Sequence, residues 1–74
     1  MRNIINKYIV IDSDICHGKP TFSGTRIMVH TILEMLGAGA SINDIINAYP
    51  AITPEHIKAS LRYASKVTEN CLNN

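Results

Sequence analysis

The chain has 74 residues, a hydrophobic fraction of 46% and a formal net charge of +1 at neutral pH. This length predicts one domain with a small core, and a second copy is an expected source of further stability. The small net charge excludes a strongly basic nucleic-acid binder, so any contact with DNA depends on where the few positive charges lie. No apolar run approaches the roughly 18 residues of a transmembrane helix.

The first predicted element is a β-strand over Tyr8–Ile11, because this run is β-branched and aromatic and precedes the turn signal Asp12-Ser13-Asp14. A second short strand is expected near Thr21–Ser23 or Arg26–Ile27. Both faces of the first strand are apolar, so we expect it to be covered on both sides. The sequence leaves open whether these strands pair within one chain or across a dimer.

Two helices are predicted next. The first is indicated by apolar residues at i, i+3, i+4 and i+7, which are Val29, Ile32, Leu33 and Leu36. We expect Gly37 to end this helix as its C′ residue. The second helix is predicted to begin at the N-cap Ser41, with Asp44 in its first turn, and to end at Tyr49 because Pro50 stops it.

A third helix is predicted over 53–67. Thr53-Pro54-Glu55 supplies an N-cap, a proline suited to the first helical position and an acidic first turn. Its buried stripe is expected at Ile57, Leu61 and Ala64, continued by Val67 or Cys71. A basic stripe on a different face, spaced at i, i+4 and i+8, consists of Lys58, Arg62 and Lys66.

Together these elements predict a mainly α fold, a three-helix bundle with a short N-terminal β extension. We expect a single domain over 1–74, with the β extension and a shaped loop over 1–28 and the bundle over 29–70. The second and third helices are joined by a linker of about four residues, with Ile52 as its apolar plug, which is typical of a helix–turn–helix motif.

The third helix allows a functional and a structural interpretation. As a recognition helix, it would approach base edges with its N-terminal residues and phosphates with its basic stripe. The DNA-binding candidates are Thr53, Glu55, His56, Lys58, Arg62 and Lys66. In the structural interpretation, the basic stripe is a solvated face that keeps a small protein soluble.

The segment Gly18–Val29, G-K-P-T-F-S-G-T-R-I-M-V, is predicted to be a shaped loop, because glycine frees the backbone and proline fixes it. We expect it to present Lys19 and Arg26 to an acidic partner surface or to phosphates. In the alternative, Arg26 hydrogen-bonds to nearby carbonyls and staples the loop to the first helix. The spacing of glycine and lysine is not that of a phosphate-binding P-loop.

No catalytic or metal-binding constellation accompanies this loop, so we expect neither an enzyme nor a cofactor or metal. Cys16 and His17 are adjacent, which seldom places a nucleophile and its base together. His30, His56 and Cys71 lack the spacing of zinc ligands. The cysteines lie far apart and follow no apolar leader, which favours reduced thiols and a cytoplasmic protein.

Two motifs carry a family resemblance: G-K-P followed by G-T-R in the loop, and tyrosine-proline followed by P-E-x-I before the third helix. Over roughly Ile9–Ala64 the chain resembles the small bacterial and archaeal family known as domain of unknown function 433. The resemblance implies a homeodomain-like fold and an antitoxin that neutralises a PIN-type nuclease toxin. It implies a recognition helix at Thr53–Lys66 and partner-binding residues at Gly18, Lys19, Pro20, Gly24, Thr25 and Arg26. The chain departs from the family pattern at Ser13, His17 and Met28.

The leading hypothesis is therefore a dimeric cytoplasmic antitoxin that is not an enzyme. It would neutralise a PIN-like toxin through its loop and repress transcription by binding operator DNA through its third helix. The alternative hypothesis is a dimeric protein-binding adaptor without DNA binding, in which the helices only pack and dimerise.

Overall fold

The computed structural model describes the backbone of residues 1–72 and the side chains of residues 1–70. The strands are β1 (Arg2–Ile4), β2 (Ile9–Asp12) and β3 (Thr21–Phe22), and a short 3₁₀ turn spans Cys16–Gly18. The helices are α1 (Val29–Gly37), α2 (Ile42–Ala48) and α3 (Pro54–Leu72). The predicted contribution of the Cys71 side chain to α3 lies outside the described residues.

The three strands form one antiparallel sheet in the order β1-β2-β3. Asn3 lies opposite Ile11 in the β1–β2 pair, and Phe22 lies opposite Ile9 in the β2–β3 pair. These pairings are within one chain. The strand predicted over 8–11 is confirmed with a shift of one residue, and the strand predicted near 21–23 is also confirmed. β1 is missing from the sequence-based prediction.

Asn6 makes the turn that separates β1 from β2. Its side-chain Oδ1 accepts hydrogen bonds from the backbone N–H groups of Tyr8 (2.8 Å) and Ile9 (3.0 Å). Asparagine favours turns because its side chain bonds to the backbone in this way. The amides of Ile5 and Asn6 both donate to the Ile9 carbonyl, at 3.0 and 3.2 Å. One apolar stretch of sequence is thereby folded into two strands.

The sheet supplies part of the centre of the core. Ile9 and Phe22 are both 0% exposed. They form one cluster with the buried residues Val29, Ile32, Ile45, Ile52, Ile57 and Ala59. Because α1 and α2 are short and carry no aromatic core residue, the chain's one phenylalanine closes the core from the sheet side.

The predicted fold class is therefore wrong. A mainly α, homeodomain-like three-helix bundle with helix–turn–helix layout would close its core with helices and leave the β segment as an extension. Here 51% of the chain is helical when the 3₁₀ turn is included, and 14% is strand when the isolated bridge at Met28 is included. The antiparallel sheet is one of the layers that enclose the core. The fold is α+β.

The C′ residue of the first helix lies two positions beyond the glycine predicted for that role. Gly37 is the last helical residue, and Gly39, with φ of +95°, takes the left-handed C′ position. The Gly39 N–H donates to the Leu36 carbonyl and the Ala40 N–H donates to the Met35 carbonyl, both at 3.0 Å. These are the two hydrogen bonds of a Schellman motif. The role predicted for Gly37 therefore belongs to Gly39.

The second helix begins at its predicted N-cap. The Ser41 hydroxyl accepts from the Asp44 N–H (3.1 Å), and the Asp44 carboxylate accepts from the Ser41 N–H (2.9 Å). Hydrogen bonding, first from the Ser41 backbone and then from its side chain, lowers the pKa of Asp44 below its ordinary value of 3.8. Beyond the helix, Ile52 is 1% exposed, which confirms it as the apolar plug before α3.

The buried face of α3 differs from the predicted stripe. Ile57 is buried as expected, but Leu61 is 50% exposed. Ser60 is 0% exposed and donates its hydroxyl to the Ile57 carbonyl at 2.7 Å, so its polar atom is satisfied inside the helix. Further along, Ala64 is half-buried and Val67 is 42% exposed. The helix therefore meets the core with its first half.

Candidate functional site

The loop between β2 and α1 turns sharply at Cys16–Gly18. These three residues have φ between +51° and +78°, a conformation that costs a residue with a side chain about 1–2 kcal/mol. Next in the chain, the Pro20 carbonyl accepts the N–H of Val29 at 2.9 Å and satisfies one free amide at the start of α1. Gly18 and Pro20 thus shape the loop, and Lys19 between them is exposed.

The second half of the loop is a tight turn held by Thr25. Its N–H and its hydroxyl donate to the Phe22 carbonyl at 3.0 and 2.8 Å, and its hydroxyl accepts from the Ile27 N–H at 3.0 Å. Gly24, the third residue of the turn, has the positive φ of +77° that a type II turn requires there. Thr25 therefore staples the turn, and the side chain of the next residue, Arg26, is exposed.

A groove of about 370 Å³ lies beside this turn, and we call it the arginine groove. It is lined by Arg2, Val10, Ile15, Gly24, Thr25 and Arg26. Arg2 comes from β1, where the sheet register sets it opposite Asp12. The groove is thus lined by two arginines, Arg2 and Arg26. Lys19 does not line it.

At the start of α3, Thr53 and His56 are engaged with each other. The Thr53 hydroxyl accepts the His56 N–H (3.4 Å), and the Thr53 N–H donates to the His56 Nδ1 (3.1 Å), which completes a reciprocal cap. The His56 ring packs edge-on against Tyr8 and Phe22, with centroid distances of 5.0 and 5.5 Å. His56 is half-buried against the sheet, and Glu55 beside it is exposed.

A second groove, of about 400 Å³, lies between the β1–β2 turn and α3, and we call it the basic groove. Its lining residues are Asn6, Lys7, Tyr8, Glu55, Lys58, Ala59 and Arg62. The Lys7 Nζ lies 5.5 Å from the centroid of the Tyr8 ring, within reach of a cation–π interaction. Lys66, the last member of the predicted basic stripe, is exposed on α3 but does not line the groove.

The cations of the basic groove carry no direct counter-ion. Within residues 1–70 the one close contact between a basic and an acidic side chain joins the His30 Nδ1 to the Glu34 Oε1, at 3.3 Å. Glu55 lines the groove without pairing with its cations. The groove therefore combines three positive side chains with one negative one, an excess of charge that suits a phosphate backbone or an acidic surface.

The structure divides the predicted site residues between these two grooves. Gly24, Thr25 and Arg26 belong to the arginine groove, and Glu55, Lys58 and Arg62 to the basic groove. Sequence reasoning missed Arg2 and Lys7. The turn residue Asn6 could have indicated that Lys7 lies in a turn. No local pattern could have placed Arg2 in the arginine groove, because its position depends on the register of the sheet.

The remaining reactive side chains are dispersed. The Cys16 thiol, half-buried, donates to the Arg26 carbonyl at 3.5 Å. In the part of the chain whose side chains are described, no three His, Cys, Asp or Glu residues come close enough together to hold a metal ion.

Among the helices described, none has both the length and the apolar character that crossing a bilayer requires.

Comparisons of the sequence and of the fold with known proteins both lead to one protein family. Residues 9–64 match the sequence profile of a family described as protein of unknown function (DUF433). The crystal structure of a DUF433 member protein from Anabaena variabilis is similar to this chain, with 27% sequence identity and a TM-score of 0.79. The similarity covers 89% of this chain and 65% of that one, so this chain spans less than two thirds of its relative's length. No curated protein matches the chain.

Proposed function

The chain belongs to the DUF433 family, and we propose that it acts in the cytoplasm as the antitoxin of a type II toxin–antitoxin pair. In this proposal it is a homodimer without enzymatic activity. It binds a PIN-like nuclease toxin through the arginine groove and operator DNA through the basic groove. The observation that carries the proposal is the presence of two cationic grooves that share no residue.

The arginine groove suits an acidic partner. Nucleases of the PIN type carry a cluster of carboxylates for their metal, and arginine forks bind carboxylates in bidentate fashion. Arg2 and Arg26 both line the groove, and Arg26 follows directly on the turn that Thr25 holds. A turn closed by three hydrogen bonds presents Arg26 with little loss of backbone freedom on binding, which favours affinity. Lys19 is exposed nearby in the sequence and adds a further positive charge to the loop.

The basic groove suits a phosphate backbone. Lys58 and Arg62 lie one turn apart on α3, and Lys7 approaches them from the β1–β2 turn. The DNA contact proposed here therefore joins a helix face to a hairpin turn. His56 and Thr53 contribute by holding the start of α3, because the Thr53 hydroxyl and the His56 Nδ1 are both used in the reciprocal cap.

Two charge-matched variants test the proposal. The first, the loop variant, is Arg2→Ala, Lys19→Ala and Arg26→Ala together. The second, the groove variant, is Lys7→Ala, Lys58→Ala and Arg62→Ala together. Each removes three positive charges from exposed positions, so a difference between them reports where the charges lie and not how many there are.

Both variants are titrated with the toxin encoded beside this gene and with the DNA upstream of it. We expect the loop variant to lose toxin binding and to keep DNA binding, and the groove variant to do the reverse. In the groove variant the slope of log K against log salt should fall in magnitude by about 2.7, at about 0.9 for each phosphate that is no longer neutralised.

Each arm has its own refuting result. Unchanged toxin inhibition by the loop variant removes the arginine groove from that role. An unchanged salt slope in the groove variant removes the operator from the proposal and leaves the alternative function, a dimeric protein-binding adaptor without DNA binding. Equal losses in both variants mean that net charge alone is responsible, which contradicts the assignment of separate sites.

A further inference from the structure

The first strand pairs on one side only. In the described chain β1 lies at the edge of the sheet, next to β2. The Ser13 N–H donates to the Met1 carbonyl and the Ile5 N–H donates to the Ile9 carbonyl, both at 3.0 Å. Hydrogen-bonded and non-bonded pairs alternate along an antiparallel ladder, so Asn3 between these two pairs also faces β2.

The residues on either side of Asn3 face away from β2. By the same alternation, the N–H and C=O groups of Arg2 and Ile4 point outward from the sheet edge. Ile4 is 67% exposed, although Val10, its cross-strand neighbour on the same face, is 2% exposed. The edge contains no proline to block pairing. It therefore offers two donors, two acceptors and one exposed aliphatic side chain.

We propose that β1 pairs with β1 of a second copy, antiparallel and centred on Asn3, to make a six-stranded sheet across a dimer. Arg2 of each copy then lies opposite Ile4 of the other, and every outward N–H and C=O of the strand has a partner. This deepens the proposed homodimer by naming its surface. It does not depend on the toxin or on DNA.

Charge and geometry select this register over its neighbours. A two-fold axis at Arg2 would set two guanidinium groups directly opposite each other, which is destabilising. An axis at Ile4 would set Arg2 opposite Asn6 of the other copy. Asn6 lies beyond the end of β1, and its N–H already donates to the Ile9 carbonyl of its own chain. The axis at Asn3 instead sets each Arg2 opposite Ile4 of the other copy, so that the aliphatic stem of the arginine covers the exposed isoleucine and no like charges face each other.

A register-specific disulfide tests the pairing in the full chain. Across the two-fold axis, Asn3 would form a non-hydrogen-bonded pair with Asn3 of the other copy. Their Cα atoms would lie about 4.5 Å apart, which is within the range of a disulfide. Cysteines at position 4 of the two copies would be offset from each other by two residues along the paired strands. Their Cα atoms would lie about 8 Å apart, which is beyond the range of a disulfide. Both substitutions are made in a Cys16→Ser, Cys71→Ser background, and folding is checked by circular dichroism.

We expect Asn3→Cys to form a covalent dimer under mild oxidation and Ile4→Cys to remain largely monomeric on a non-reducing gel. Cross-linking of Ile4→Cys in preference to Asn3→Cys overturns the register. Failure of both to cross-link, while light scattering shows a dimer, overturns the β1 surface and leaves the proposed homodimer standing.

A second pair of variants tests the proposed β1–β1 pairing without introducing a cysteine. Ile4→Pro removes an outward N–H without removing a hydrogen bond to β2, whereas Ile4→Val keeps that N–H and a β-branched side chain. Because the paired edge is short, we measure the dissociation constant by analytical ultracentrifugation over a wide range of concentration. We expect Ile4→Pro to weaken the dimer at least tenfold and Ile4→Val to change it less than threefold. A wild-type protein that is monomeric at every concentration overturns both this inference and the proposed homodimer.

Discussion

Replacing Phe22 by alanine tests whether the sheet belongs to the core. Phe22 is 0% exposed, and the centroid of its ring lies 5.5 Å from the centroid of the His56 ring. Truncating a fully buried phenylalanine costs about 3–5 kcal/mol. A domain of this length has a free energy of unfolding of about 4–11 kcal/mol, at roughly 0.05–0.15 kcal/mol per residue. We therefore expect Phe22→Ala to remove a quarter or more of the stability.

Urea denaturation followed by far-ultraviolet circular dichroism measures this loss. Because a loss at the upper end of that range leaves too little stability for a folded baseline, Ile9→Val is measured beside it, with an expected loss of about 0.5–1.5 kcal/mol. Ile4→Ala is the control, measured at a protein concentration at which wild type is monomeric so that the proposed β1 contact does not contribute. Ile4 belongs to the same sheet but is 67% exposed in the single chain, so its effect should stay within about 0.5 kcal/mol.

The losses of unfolding free energy in these three variants together decide whether the sheet belongs to the core. If Phe22→Ala costs less than about 1 kcal/mol, and Ile9→Val no more than the control, the sheet is a peripheral extension and the core described above is wrong. A large loss in Phe22→Ala together with an unchanged Ile4→Ala supports a sheet that closes the core.

Three further perturbations test local structure. Thr53→Ala removes the acceptor of the His56 N–H and should cost about 1 kcal/mol in urea denaturation, whereas Thr53→Ser keeps the hydroxyl and should cost less; equal losses contradict the capping role. Gly24→Ala should cost about 1–2 kcal/mol because its φ is +77°, although no atom would meet the new Cβ within 4 Å. Its control, Gly37→Ala, has equally open space in a helix and should stabilise by about 0.4–1 kcal/mol, so a neutral Gly24→Ala refutes the turn strain. Because the pKa of Asp44 is lowered on folding, its contribution is complete above 3.8 and is lost as pH falls through the folded value. Thermal unfolding of Asp44→Asn should therefore depend less on pH in that range than wild type does, and identical pH profiles would contradict this.

The candidate site was predictable where its geometry is local. Lys58 and Arg62 share a helix face because they are one turn apart, whatever the helix packs against. Lys7 joins them only because the β1–β2 turn lies beside α3, and Arg2 joins Arg26 only through the sheet register. No spacing along the chain relates these pairs, because the pairs are brought together by tertiary contacts.

His56 shows the opposite case, in which the local pattern gave no sign of the contacts that surround the residue. Near the start of a helix, a histidine resembles a residue free to approach a ligand. Its backbone and ring are instead used by Thr53, and its ring edge packs against Tyr8 and Phe22. The aromatic contacts come from the sheet, which the sequence-based fold treated as an extension.

By itself the sequence determined the local elements of this protein: the N-caps at Ser41 and Thr53, the three helices and the tight loop before the first of them. Caps, turns and helical periodicity are set by interactions within a few residues, so they can be read along the chain. Only the tertiary structure decided that Asn6 divides one apolar run into two strands and that Phe22 completes the core. It also decided which cations share a groove, since strand pairing and burial join residues that are distant in sequence and depend on the whole fold.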